Sequence, residues 1–194
     1  MDFGDVNLGE PWGTWYRLGL RYLFRPTPAV SQKVSVALPA QEFPEPWQRI
    51  LSGLEPPVPL VWTYWRLAQD LGPNPDPLRR TLWKNILDSC AWPPGTLAFW
   101  PMSMLEEDRI VPAPAYFHTG LSHIQPRLVV CFGQRAFEVL YPDAPFQYGL
   151  HESIATIPVL ALPGAQDMLP DNRRAKALVW RWLQTVSQRW IDTS

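Results

Sequence analysis

The chain of 194 residues is poor in the groups that most often carry chemistry: two cysteines, three histidines and only 18% charged residues. Cys90 and Cys131 stand 41 positions apart, which forms neither a disulfide framework nor a metal-ligand spacing, so both read as buried thiols. His118 and His123 are five apart and miss the i, i+4 geometry of a helical metal pair, and His151 adds no further ligands. No metal and no cofactor is expected. No apolar run approaches the roughly 18 to 20 residues of a membrane helix, and the first residues lack the basic-then-apolar layout of a signal peptide. These absences predict a soluble, cytoplasmic protein with no membrane partner. There is no excess of one charge either: 17 Lys and Arg against 18 Asp and Glu give −1.

What the chain has in quantity is proline and tryptophan, 23 and 11 residues, with 46% hydrophobic residues overall. The apolar content suffices for a core, and the length suits one domain with an extension. Residues 1–33 form that extension. Trp12, Trp15, Tyr16, Leu18, Leu20, Tyr22, Leu23 and Phe24 crowd together before Arg25-Pro26-Thr27-Pro28, where two prolines mark an extended connector. Eleven tryptophans exceed what one small core usually hides, so some are expected to face a partner.

Beyond the arm, strand and helix signals alternate. The β-branched run 34–38 before Pro39 reads as a strand. Phe43, Trp47, Ile50, Leu51 and Leu54 recur at helical spacing. The apolar segment 60–71 is read as helix. Asp76 before Pro77, followed by Leu78, Leu82, Trp83, Ile86 and Leu87, reads as a helix with Asp76 as N-cap. A strand over 96–100 follows, then a proline-rich loop over 109–115 and a helix over 116–124. The run 127–133 is the clearest buried strand, with Gly133 turning into a helix over 134–141. The last unit is a strand over 157–162, a loop over 163–170 and a helix from Asp171 to about Trp190.

Four such alternations predict an α/β fold: a central, mostly parallel four-stranded sheet covered by helices on both sides. Ligands of such sheets lie beyond the carboxyl ends of the strands. Those ends offer Gln41, Glu42, Gln134, Arg135 and Gln166, with no His, Ser or Asp at a strand tip. Glu42 could be a general base, but an acid at the start of a helix is better explained by the helix dipole. Gly133 could cradle a phosphate, yet a lone glycine after a strand points to tight packing. Within 171–190, Arg173, Arg174, Lys176, Arg181 and Arg189 face one acid, Asp171. Arg173, Arg174 and Lys176 are candidates for nucleic-acid contact, although a solvated helix face is the commoner cause, and direct DNA binding is not expected.

Two stretches carry a resemblance. Pro126-Arg-Leu-Val-Val-Cys-Phe-Gly-Gln-Arg-Ala136 and the run from Leu162-Pro163-Gly164 to Trp180 resemble the strand turn and the last loop and helix of the uracil-DNA glycosylase superfamily. Those enzymes place an Asp, Glu or Asn beside a proline after the first strand and a His-Pro pair after the last. Here the matching pairs are Leu38-Pro39 and Leu162-Pro163, so the prolines remain and the reacting residues are aliphatic. A leucine neither activates water nor hydrogen-bonds a uracil carbonyl.

The chain also resembles the psi-subunit family of the bacterial DNA polymerase III clamp-loader complex, which has that fold without that activity. The similar blocks are Leu18-Gly19-Leu20 through Tyr22 and Arg25, residues 34–40, and Leu162-Pro163 through Arg173-Arg174-Ala175 to Leu178 and Trp180. The resemblance implies a three-layer α/β/α domain over 34–194 and a docking arm over 1–33. It implies no enzymatic role, but an adaptor between the clamp-loader ATPase subunits and a chi-like subunit that binds single-stranded DNA-binding protein. The docking residues would be Trp12, Trp15, Tyr16, Leu20, Tyr22, Phe24 and Arg25. The alternatives are an arm folded back as a cap, a divergent uracil-DNA glycosylase using Glu42 or another acid, and a nucleic-acid-binding protein on the same scaffold.

Overall fold

A computed structural model describes residues 43–191. The arm residues Trp12, Trp15, Tyr16, Leu20, Tyr22, Phe24 and Arg25, the expected strand 34–38 with Leu38-Pro39, and Glu42 lie outside the described residues.

From Phe43, the first described residue, the chain leads into helix α1 (Trp47–Ser52). Strand β1 (Leu60–Tyr64) follows, buried at every position. This overturns the helix expected over 60–71. A parallel strand covered on both faces has no reason to alternate, so Leu-Val-Trp-Thr-Tyr reads as an undifferentiated apolar run. Only the turn α2 (Leu67–Asp70) is helical there. Helix α3 (Pro77–Cys90) starts as expected: the Asp76 carboxylate accepts from the Arg79 amide and Pro77 occupies the first turn. Strand β2 (Leu97–Phe99) lies within the expected 96–100.

The loop expected over 109–115 is instead half of a hairpin, β3 (Ser103–Glu106) against β4 (Arg109–Pro112). Glu107 and Asp108 both adopt positive φ, 47° and 66°, the backbone of a tight two-residue turn. Neither is the usual Asn or Gly, which hid the turn. Helix α4 (Pro114–Ile124), strand β5 (Leu128–Phe132) and helix α5 (Gln134–Leu140) then follow the expected order. Strand β6 (Gly149–Ile154) went unread, because its polar and irregular pattern, with a register shift between His151 and Ile154, carries little hydrophobic signal. Strand β7 (Ile157–Leu162) matches expectation. The loop 163–170 contains the helical turn α6 (Ala165–Met168). Helix α7 (Arg173–Val186), capped by Asn172, continues into a π-helical turn, Ser187–Ile191.

Among the described residues the main sheet has five strands in the order β2-β1-β5-β7-β6, with the first four parallel and β6 antiparallel at one edge. It is therefore mixed and mostly parallel, not four-stranded. Alternating side chains divide the core. Val61, Val129, Cys131, Val159 and Ala161 face Trp47, Phe117, Leu121 and Phe137 from α1, α4 and α5. Trp62, Tyr64, Val130, Phe132, Leu160 and Leu162 face Leu82, Trp83, Val179 and Leu183 from α3 and α7. Helices thus cover both faces. Cys131 is buried as expected and Cys90 half-buried.

Trp47 and Trp83 lie on the helical stripes that the sequence predicts. Trp47 and Trp83 are buried, and Trp182 and Trp190 pack half-buried against the α3/α7 side. Trp62 anchors that layer, edge-on to Trp83, Trp92, Phe99 and Phe132 at centroid distances of 5.0–6.1 Å. Trp180 alone among the described tryptophans is markedly exposed, at 40%.

Candidate functional site

The carboxyl ends of β1, β5 and β7 converge on a cleft of about 150 Å³. Glycines bring the last two together. The Gly133 amide donates to the Leu162 carbonyl at 2.8 Å, and a Cβ built on Gly164 would lie 3.0 Å from the Gly133 Cα. Gly133 has φ +90° and ψ 150°, a conformation in practice reserved for glycine. Its role is close backbone packing, since α5 is too short and its first turn too near the Gly164 loop to form an open cradle. The Asp167 carboxylate accepts from the Gly164 amide at 2.8 Å and fixes that loop.

Arginines and aromatics line the cleft. The Arg135 guanidinium lies over the Trp65 ring, 4.2 Å from its centroid, a cation–π contact at the tip of β1. Arg66 donates to Gln69 at 3.0 Å. Behind them Arg79 makes a two-pronged bond to Asp70, Nε to Oδ2 at 2.8 Å and a terminal nitrogen to Oδ1 at 2.7 Å. Its other terminal nitrogen reaches Asp76 at 3.2 Å. The Tyr64 hydroxyl donates to Asp70 at 3.0 Å, and the Asp76 amide donates to the same carboxylate at 3.1 Å. Burial, then the Asp70 charge and hydrogen bond, push the Tyr64 hydroxyl well above its ordinary pKa. The Arg79 amide, ahead of the Arg79 charge, holds the Asp76 carboxyl below its ordinary range.

The chemical consequence is plain. Both carboxylates near the cleft are tied to one guanidinium, and Tyr64 stays protonated at any physiological pH. The Asp70–Arg79 pair is nearly buried, with side chains 8% and 14% exposed, so it clamps α2 to α3. The remaining polar lining of the cleft is Arg66, bonded to Gln69, Arg135, stacked on Trp65, and the exposed Gln166.

Of the predicted positions, Leu162 and Pro163 sit at the tip of β7, both buried, with Leu162 in the α3/α7 core. Trp100 and Pro101, at the end of β2, are taken up by structure: the Trp100 indole donates to the Phe117 carbonyl at 3.1 Å and the Trp47 indole to the Pro101 carbonyl at 2.8 Å. Gln134 donates along its own helix to Glu138 at 2.8 Å. Arg173, Arg174 and Lys176 lie on the first turn of α7, away from the cleft. Lys176 and Arg173 pair with Asp171 at 3.0 and 3.7 Å, and Arg174 is exposed.

Tyr64, Trp65, Arg66, Asp70 and Arg79 were missed as site residues. Their signal was present, polar groups just after a buried apolar run, but reading that run as helix removed the strand tip.

Among the described residues no group of His, Cys, Asp or Glu could hold a metal ion, and no helix is long and apolar enough to cross a membrane. The described domain is an α/β protein built on a mixed, mostly parallel five-stranded sheet with a cleft at its strand tips. No protein-family model and no curated protein matches the chain.

Proposed function

We propose that this chain is a non-catalytic adaptor subunit of the bacterial DNA replication machinery, of the psi-subunit type. On this reading its domain is a uracil-DNA glycosylase-like scaffold, and the arm 1–33 docks on the clamp-loader ATPase subunits. The domain holds a chi-like subunit and, through it, single-stranded DNA-binding protein.

The observation that carries this reading is the tip of β7. Where the resembled enzymes present a histidine to substrate, Leu162 turns into the core beside Val179 and Leu183, while Pro163 keeps the loop. A residue so placed favours packing over proton transfer. The self-contained Tyr64–Asp70–Arg79–Asp76 network supports the same reading, since its groups hold one another in place. The helices on both faces of the sheet agree with the three-layer architecture that the resemblance implies.

Immobilised clamp-loader ATPase complex is the test, with full-length chain as prey. Capture should be strong for the unaltered chain and fall at least tenfold for the Trp15→Ala/Tyr22→Ala double variant. Undiminished capture of that variant would sink the adaptor reading. Release of free uracil from single-stranded DNA, abolished by Glu42→Gln, would instead establish the glycosylase alternative.

A further inference from the structure

One edge of the main sheet is β2, which among the described residues pairs with β1 alone. The Thr96 carbonyl accepts from the Leu60 amide and the Trp100 amide donates to the Trp62 carbonyl, each at 3.0 Å. Backbone groups along a parallel strand turn alternately to its two sides, so those of Ala98 also face β1 and those of Leu97 and Phe99 face outward. An open edge of this kind invites another strand. Its side chains are apolar as well. Leu97 and Phe99 pack half-buried against the α3 side of the core, and a hollow of about 490 Å³ lined in part by Phe99, Trp83 and Leu87 opens beside them.

We propose that Val34-Ser35-Val36-Ala37-Leu38 of this same chain docks on that edge as a further strand, parallel to β2. Handedness selects the place. The connection β1–α3–β2 steps toward this edge with its helix on the Trp62 face, and β2–α4–β5 steps away from it with its helix on the Val61 face. Reversing direction and face together preserves one hand, and parallel crossovers keep a single hand almost without exception. Helix α1 lies on the Val61 face through Trp47. A parallel strand that feeds α1 and then β1 keeps the same hand only on the β2 side of β1, where the vacant position is the outer edge of β2. The connection over 39–59, with a helix packed on the sheet, is of the kind parallel strands require.

Reach agrees. Leu38 stands five residues before Phe43, at most about 17 Å of chain. The Phe43 ring meets the Trp100 ring at 5.8 Å, and Trp100 directly follows β2. A strand beyond β6 would stand five spacings from β2, about 24 Å away. Setting Val36, Ala37 and Leu38 beside Leu97, Ala98 and Phe99 puts Val36 and Leu38 over the hollow and the small Ala37 next to Ala98, which is buried. Pro39 has no N–H to give and ends the ladder. Residues 1–33 then depart from the amino ends of the strands, opposite the cleft beside Trp65 and Arg135, so a partner held by the arm leaves that cleft open. The inference rests on the sheet and stands whatever the arm binds.

Full-length protein serves for the test. Ala37→Cys with Ala98→Cys puts two thiols on neighbouring residues, within the Cα separation of about 4.4–6.8 Å that a disulfide needs. Oxidation in dilute solution, read by tryptic peptide mapping, should link this pair at least about tenfold more than Ala37→Cys with Leu150→Cys, the latter on β6. Leu38→Cys with Phe99→Cys should link as well, whereas an antiparallel segment would bring Val34 to Phe99 instead. Amide exchange followed by NMR gives an independent reading. The Leu97 and Phe99 amides should exchange roughly a hundredfold more slowly than in an unfolded chain. Ala37→Pro, which removes the N–H facing the Leu97 carbonyl, should speed both by at least about tenfold. The Val129 and Val130 amides of β5 should stay protected and show that the variant is folded. Equal linking of Ala37→Cys to either edge, preferential linking of Val34→Cys to Phe99→Cys, unprotected Leu97 and Phe99 amides, or exchange indifferent to Ala37→Pro would overturn the proposal.

Discussion

Replacing Gly120 by alanine sets two effects of known sign against each other. Gly120 lies in α4 directly beneath the fully buried Trp100 indole. A methyl group there would fall 1.9 Å from Cζ2, 2.2 Å from Cε2 and 2.6 Å from Nε1 of that ring. Carbon atoms in contact sit about 3.5 to 4 Å apart, so the ring must withdraw by well over an ångström. It has no room to do so. Phe43 meets it edge-on at 5.8 Å, and its N–H is committed to the Phe117 carbonyl at 3.1 Å.

Alanine gains about 1 kcal/mol over glycine in a helix. Overpacking costs about 1–3 kcal/mol, and stranding the buried indole N–H adds roughly 1–3 kcal/mol. The steric terms win, and Gly120→Ala should destabilise the fold by about 3 kcal/mol. With a urea m-value of about 2 kcal/mol/M, the midpoint should fall by about 1.5 M. Urea titration followed by far-UV circular dichroism reads this directly. In a Trp100→Leu background the clash is gone, so the same substitution should become neutral or slightly stabilising. An unchanged or higher midpoint for Gly120→Ala alone would refute the packing of Trp100 on α4.

Three further outcomes follow from the strand-tip region and the thiols. Gly133→Ala places a Cβ on a φ of +90° and 3.3 Å from the Gly164 Cα; a loss of about 2–3 kcal/mol should lower the melting temperature by roughly 6 °C. Arg79→Leu leaves Asp70, 8% exposed, without its cation, and should cost about 3 kcal/mol. The Asp70→Asn/Arg79→Leu pair should recover much of that, so additive losses in a double-mutant cycle would refute a coupled clamp. Burial pushes the Cys90 thiol up to about 11 and Cys131 higher still, leaving about a thousandth of Cys90 as thiolate at pH 8. Ellman's reagent should therefore label the native protein slowly and both thiols rapidly in guanidinium, whereas fast labelling of the native protein would contradict the packing.

Where hydrophobic pattern and local chemistry agreed, the elements were legible in advance. The Asp76-Pro77 start of α3 and the runs of β5 and β7 were read correctly, because each signal is contained within a few neighbouring residues. Reading failed where the deciding partner was remote. Residues 60–64 carry no alternation because β2 and β5 flank them and helices cover both faces. The β3–β4 turn is made by Glu107 and Asp108, which accept positive φ only because the paired strands hold them there. At the site the same failure propagated: once β1 was read as helix, Trp65, Arg66, Asp70 and Arg79 had no strand tip to belong to.

The amino-acid sequence by itself determined the α/β class, the scarcity of metal ligands, the aliphatic Leu162 before Pro163 and the basic composition of the last helix. These are properties of composition and short-range pattern, and no folding is needed to state them. Tertiary structure decided which strand lies beside which and that Arg79 joins Asp70 and Asp76 across nine and three positions. It also decided that α3 and α7, far apart in the chain, together line one largely apolar groove. Such facts arise from long-range packing, where a residue's neighbours are set by the burial of whole elements and not by its place in the chain.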